Sequence, residues 1–238
     1  MTRANRPKAR DLIAQTWRSQ ANLSLFLLLL VVTIFILPGL AGKNLNIKLA
    51  SDILGSVMLI VGVAIAWGRR WLLLAGTAFA IPTLVFRWLA YLSPSRFSPV
   101  WNEALTAASI LVIAYIVLAQ VFREGPINFV RVQGAVAAYL LLGVAYAHAY
   151  QINEYFNPSA ITSTEGPLTT VVDWIYYSFS TLSTLGYGDI IPTSRSSRML
   201  AIGEAITGQL YLAILIARLV GLAVSEAAGA QRSPEHRD

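Results

Sequence analysis

Six apolar runs, each close to the length that crosses a bilayer as a helix, fill most of this 238-residue chain. A span needs about 20 apolar residues, so the runs predict membrane helices over 22–41, 51–67, 71–92, 101–122, 131–150 and 196–225. Lipid restricts the architecture further. Every backbone polar group inside it needs an internal partner, and a long apolar segment meets that need as a helix. The expected fold class is therefore an all-α membrane protein. Proline and glycine mark the joints, at Leu37–Gly39, Ser93–Pro99 and Glu124–Pro126. Pro82, inside the third run, should bend that helix without ending it.

Composition narrows the function. Charged residues make up 13% of the chain, against about 25% in a soluble domain. With no cysteine, a disulfide framework, thiol catalysis and Cys-ligated zinc are excluded. His148 and His236 lie far apart, which argues against a histidine metal site. No catalytic constellation is apparent, so the chain is not expected to be an enzyme. The net charge of +6 does not point to nucleic acid, because the basic residues flank apolar runs as topology signals do. The first run is longer than a cleavable signal core and reads as a true span.

Orientation follows from those charges. With the N-terminus inside, Arg3, Arg6, Lys8, Arg10 and Arg18 face the cytoplasm with Arg69, Arg70, Arg123, Arg131, Arg218, Arg232 and Arg237. Lys43, Lys48, Arg87, Arg96, Arg195 and Arg198 fall outside, with Arg87 close enough to the surface to snorkel. The excess lies inside, so both termini are expected in the cytoplasm. Within 1–21, Leu12, Ile13 and Trp17 share one helical face, the pattern of a short interfacial helix.

The stretch between the fifth and sixth runs differs from the rest. A polar segment is followed by an apolar, aromatic one that is too short to span, then by STLSTLGYGDIIP at 180–192. Span, short re-entrant helix (170–183), glycine loop (184–189) and inner span (196–225) make the layout of a pore. Gly186 and Gly188 accept positive φ at little steric cost, so the carbonyls of Thr184, Leu185, Gly186, Tyr187 and Gly188 can be turned to one side. Rings of such oxygens would replace the water around a cation. The Thr184 hydroxyl adds an oxygen at the inner end, and Asp189 places a solvated carboxylate at the outer mouth. One loop cannot encircle an ion, so four chains in a closed ring are expected.

The run TLGYGD resembles the signature of potassium channels. The likeness extends over YYSFSTLSTLGYGDIIPTSRSSRMLAIGEAITGQLYLAILIARLVG (176–221) to the two-helix pore module of prokaryotic members. With the fifth run it covers less than half of the chain. The resemblance implies a filter at Thr184–Gly188 holding K+ at Thr184, Leu185, Gly186 and Tyr187, with no organic cofactor. It also implies a gating glycine at Gly208. Leu185 stands where the family usually has valine, which leaves the carbonyl unchanged. Tyr176 and Tyr177 stand where many members have two tryptophans, and the Tyr177 hydroxyl is expected to reach Asp189. Ser180 takes a position where some members carry glutamate. Tyr176, Tyr177, Ser180 and Asp189 are thus the expected supports of the filter.

Two further readings concern gating and the acid in the sixth run. A voltage sensor needs about 3–4 basic residues in each fourth span, and 102–122 has none, with Arg123 following it. Glu204 is costly within a membrane; it is expected to tie the inner helix to the short helix, through Ser178 or Thr181, as a carboxyl able to take a proton, the alternative being a solvated acid facing the cavity. His148 and Gln133 read as satisfied interior groups, and Arg218 as a topology signal or a brace of the inner mouth.

The expected organisation is a cytoplasmic segment (1–21), a four-helix domain without sensor charges (22–122), a linker (123–130), a pore domain (131–225) and a polar, disordered tail (226–238). The function expected is a homotetrameric, potassium-selective channel in a prokaryotic plasma membrane. The rival expectation is a weakly selective cation channel. A transporter normally carries four such loops in one chain, and this chain has one.

Overall fold

The computed structural model describes residues 22–40, 47–66, 69–93, 99–122, 129–164, 166–168 and 170–232. The interfacial pattern within 1–21, most of the linker and His236 lie outside the described residues. The chain is an all-α membrane protein. Among the described residues, five helices are long and apolar enough to cross a bilayer. They are α1 (Asn22–Gly39), α3 (Arg70–Leu92), α4 (Pro99–Val121), α5 (Phe129–Phe156) and α7 (Arg195–Arg232). Between the first two lies α2 (Ile47–Ile65), whose apolar part, Leu49–Ile65, is shorter. Among the described residues, the expected second span is therefore the shortest of the six apolar helices.

α1 widens into a π-helical turn over Val32–Ile36, directly before Pro38, whose missing N–H cannot continue the ordinary ladder. α3 passes through Pro82 unbroken. Hydroxyls bond the carbonyl next to the one that Pro82 leaves without a helical donor. Thr83 Oγ1 and Ser109 Oγ both donate to the Phe79 carbonyl, at 2.8 and 3.1 Å. These bonds also tie α3 to α4.

α5 is the wall between the first four helices and the pore module, and it runs six residues past the expected end at 150. Its buried positions are mainly small, with Gly134, Ala135, Ala137, Ala138, Gly143, Ala145 and Ala147 among them. Small side chains let helices approach closely where lipid supplies no hydrophobic drive to association. α4 packs along one side of α5, while the helices of the pore module meet it on others.

The pore module adds α6 (Val171–Leu182) and ends with α7. At 1.5 Å per residue, the 12 residues of α6 reach about 18 Å. That is little more than half of a ~30 Å hydrocarbon layer, as a re-entrant helix requires. The 38 residues of α7 extend about 57 Å, well past the layer. The helix therefore continues through 226–232, where a disordered tail was expected. The sequence pattern also gave no sign of a two-stranded antiparallel ribbon, β1 (Ile161–Ser163) against β2 (Ile190–Pro192).

Candidate pore loop and its frame

The pore loop begins with the way α6 is closed at both ends. At its start, the Thr170 side chain accepts from Asp173 N at 3.3 Å, and Thr170 N donates to Asp173 Oδ2 at 2.9 Å. This reciprocal capping box satisfies donors that would otherwise be orphaned. At the other end, Thr184 N donates to Thr181 O at 2.9 Å and Leu185 N to Ser180 O at 2.8 Å. These are the two bonds of a Schellman motif, in which the residue after the C-cap adopts the left-handed conformation. Thr184 holds that place with φ +58°. Glycine usually stands there, and a β-branched residue pays about 1–2 kcal/mol for the conformation. What threonine contributes in return is a hydroxyl oxygen at the inner end of the loop.

The left-handed conformation then recurs at every second residue. Gly186 has φ +57° and Gly188 φ +82°, while Leu185 and Tyr187 between them stay at negative φ. In a regular strand successive carbonyls point to opposite sides. Alternating hands rotate each peptide plane so that carbonyls gather on one side and N–H groups on the other. Gly186 N adds a second bond to Ser180 O, at 3.2 Å. Ser180 therefore supports the loop through its main-chain carbonyl, which anchors two consecutive loop residues. Leu185 and Tyr187 are 56% and 68% exposed, so their side chains are left uncovered by their own chain. The C-terminal end of α6, with its negative dipole, points at the inner end of the loop.

The two tyrosines exchange their expected parts. Tyr176, not Tyr177, donates to Asp189 Oδ2, at 2.7 Å. This bond holds the Asp189 carboxyl below the usual carboxylate range. Tyr177 is buried and stands edge-on to the Tyr150 ring, with centroids 4.7 Å apart. The reason is helical phase: neighbouring residues on α6 point about 100° apart, so only one can face the returning loop.

Behind α6 lies a polar network within the helices. Glu204 on α7 is fully buried. It accepts from Tyr150 Oη at 2.6 Å, and its other oxygen lies 2.5 Å from Ser178 Oγ. Ser178 Oγ also lies 2.7 Å from the Gly143 carbonyl. Three helices thus meet at one carboxyl. Of the two hydroxyls considered from sequence, Ser178 makes the contact. Thr181 bonds instead to Tyr177 O. Below this point, Gly208 lets α7 press against the end of α6, where a Cβ would lie 2.2 Å from Leu182 O. Gln209 Nε2 reaches Thr184 Oγ1 at 3.4 Å. Gly208 sits in the middle of the unbroken α7, so its place in this structure is that of a close-approach residue.

A second polar cluster joins the first four helices to α5 near the ribbon end. Arg87 does not snorkel. Its side chain is 10% exposed and lies 3.9 Å from Asp52 Oδ1 on α2, beside Thr106 on α4. Gly55 leaves room for the guanidinium, since a Cβ there would fall 2.1 Å from Nη1. His148 Nδ1 lies 2.5 Å from Glu103 Oε2, an α5–α4 tie. Gln133 accepts from Ser24 on α1 at 3.0 Å. Arg218 stacks over the Phe122 ring, 4.2 Å from its centroid, and so braces α7 against the end of α4.

Several of these partners were not singled out from sequence: Tyr150, Gln209, Asp52 and Glu103. The signal for three of them was present, because a charged or acidic group inside an apolar run demands a partner on a neighbouring helix. Which neighbour supplies it depends on packing.

Comparison with known proteins agrees with this geometry. Residues 135–225 match the family model described as ion channel. The protein LctB of Bacillus caldotenax is 34% identical over 84 residues, 34% of this chain and 62% of that one. The voltage-gated potassium channel Kch of Escherichia coli (strain K12) is 33% identical over 82 residues, 34% of this chain and 18% of its own. The two pore potassium channel c of Oryza sativa subsp. japonica is 34% identical over 83 residues, 35% of this chain and 17% of its own. This part of the chain is thus similar to ion channels, potassium channels among them. The alignments span from 17% to 62% of these relatives' length, and the family match over 135–225 contains the short helix, the loop and most of both flanking helices.

Proposed function

We propose that four copies of this chain form a potassium-selective pore that conducts passively, with Thr184, Leu185, Gly186, Tyr187 and Gly188 supplying the ion-binding oxygens. The observation that carries the reading is the alternation of backbone hand at Thr184, Gly186 and Gly188, which aligns the carbonyls as a dehydrated cation needs. Potassium is the cargo, and it would sit between oxygen rings at Thr184, Leu185, Gly186 and Tyr187.

The fourfold assembly is supported by what one chain leaves bare. Only 11% of the apolar α7 window is buried within the chain. Ile202, Ile206, Leu210 and Ile214 form an exposed stripe at every fourth position, suited to a neighbouring subunit or the pore axis. With the N-terminus in the cytoplasm, the Asp189 end of the loop faces outward and the Arg232 end of α7 inward. No basic residue lies on α4, and the Arg87 charge is held by Asp52. Conduction should therefore lack the steep voltage dependence that about 3–4 mobile charges per subunit confer.

Purified protein reconstituted in planar bilayers tests the proposal. The expected result is a reversal potential that follows the K+ gradient and barely responds to Na+, from particles of four-chain mass. Gly186→Ala should abolish current, since its φ disfavours any side chain. A reversal potential that tracks Na+ equally would favour a weakly selective cation channel, and dimeric particles would overturn the reading.

A further inference from the structure

The outer end of the pore loop continues directly into β2, and β2 is paired to a strand that belongs to the segment between α5 and α6. In register, Ile161 faces Pro192, Thr162 faces Ile191 and Ser163 faces Ile190. Thr164 N extends the pairing by donating to the Asp189 carbonyl at 3.0 Å. Pro192, which has no N–H to give, sits at the end of the ladder, where its loss is least felt. A two-stranded ribbon this short is not stable alone, so something else must hold β1 in place.

That support comes from side chains of the flanking helices, together with Thr193 Oγ1, which donates to the Ser159 carbonyl at 2.6 Å. Glu154, in the last turn of α5, receives Ser159 N on Oε1 at 2.6 Å and Ile161 N on Oε2 at 3.1 Å. Its carboxylate spans the turn that leads into β1. Within that turn Ser159 is held at φ +66°, a conformation that a non-glycine residue resists unless its surroundings fix it. From the far side, Ser197 Oγ donates to the Ala160 carbonyl at 2.7 Å. Thr193 N and Ser194 N converge on the same oxygen, at 2.8 and 3.2 Å. The ribbon is thus clamped between the end of α5 and the start of α7.

We propose that this ribbon is a main-chain brace of the filter's outer end, with Glu154 and Ser197 as its positioning residues. The inference rests on the channel reading above and adds the determinant of filter rigidity. Asp189 has a side-chain tether from Tyr176, but its backbone is held by Thr164 N and, one residue later, by the ladder. Carbonyl rings repel one another when ions leave them, so the frame decides how long the loop keeps its conducting shape. Ser180 offers the loop its carbonyl, at the inner end only. Glu154 and Ser197 touch no ion. They act through β1, β2 and the carbonyl of Asp189.

The test uses reconstituted full-length channels, with outer K+ replaced stepwise by an impermeant cation. Wild type should hold its current as outer K+ falls. Glu154→Ala, which removes both acceptors, should show decay at least about tenfold faster, the scale expected when hydrogen bonds to a charged group are lost. Ser197→Ala should shift in the same direction by less. Glu154→Gln retains one acceptor oxygen and should fall between Glu154→Ala and wild type. It carries the test if the alanine variant does not assemble. A merely structural role would lower the yield of tetramer and leave the decay of assembled channels unchanged. Equal decay in wild type, Glu154→Gln and Ser197→Ala would overturn the proposal. If wild type itself gave no K+-selective current, the channel reading would have failed first, independently of these variants.

Discussion

Gly208→Ala separates a packing role from a hinge role at the middle of α7. A Cβ at this position would lie 2.2 Å from the Leu182 carbonyl oxygen and 3.0 Å from its Cδ1. The closer partner is main chain at the end of α6, so no side-chain rotation relieves the clash. Relief requires α6 and α7 to part, and Leu182 lies two residues before Thr184. Overpacking of this kind costs about 1–3 kcal/mol. Alanine in a helix interior returns about 1 kcal/mol relative to glycine. The net expectation is destabilisation of up to about 2 kcal/mol per subunit. A Cβ added at Gly203, on the same helix, would meet nothing within 4 Å, so Gly203→Ala should stabilise by up to about 1 kcal/mol. Thermal loss of the assembled particle, measured for both variants beside wild type, gives opposite signs if close approach matters. Reversal potentials should shift with Gly208→Ala alone, because the displacement is delivered to the loop. Were Gly208→Ala to stabilise as much as Gly203→Ala, with an unaltered reversal potential, the contact would be irrelevant and only flexibility would remain as the reason for glycine.

Ser178 has one hydroxyl hydrogen, yet its oxygen lies within bonding distance of both Gly143 O and Glu204 Oε1; a protonated Glu204 would supply the missing hydrogen. Glu204→Gln, which keeps both a donor and an acceptor, should therefore preserve assembly and conduction, whereas Glu204→Ala should cost about 1–3 kcal/mol by stranding buried hydroxyls; thermal stability of the two variants checks this, and equal loss in both would contradict it. Tyr176→Phe removes the donor that holds the Asp189 carboxyl low. A depressed carboxylate keeps its charge until pH falls through its lowered value, so the variant should lose inward current at a higher outer pH than wild type, and an unchanged midpoint would refute the assignment.

The helices were legible because lipid enforces a simple rule: apolar length predicts span, and the residues of α1, α3, α4, α5 and α7 obey it. The loop was legible because Gly186 and Gly188 mark where φ must be positive. Thr184 was not legible in the same way. Nothing in a threonine announces a left-handed residue, and only the Schellman bonds from Thr184 N and Leu185 N reveal it. Tyr176 and Tyr177 were indistinguishable as neighbours, since the phase of α6 relative to the loop is a tertiary property. The ribbon escaped notice for a related reason. Ile161–Ser163 and Ile190–Pro192 are each three residues long, too short for alternation to register, and their pairing joins segments on either side of the short helix. Pattern in sequence reports what a residue does for its own helix, and these features depend on other elements.

The same distinction gives the first four helices a physical place. Two of their polar residues serve α5, Glu103 reaching His148 and Ser24 reaching Gln133, while Arg87 is enclosed among the first four helices by Asp52 and Thr106. On α5, His148 and Tyr150 lie two residues apart, about 200° around the helix. One side of α5 therefore answers to Glu103 on α4, while the opposite side answers to Glu204 on α7 and Tyr177 on α6. At the other end, Arg218 lies over Phe122, so α7 is tied directly to α4 as well. The first four helices thus touch the pore module in two places, along the α5 wall and at the Arg218 end of α7.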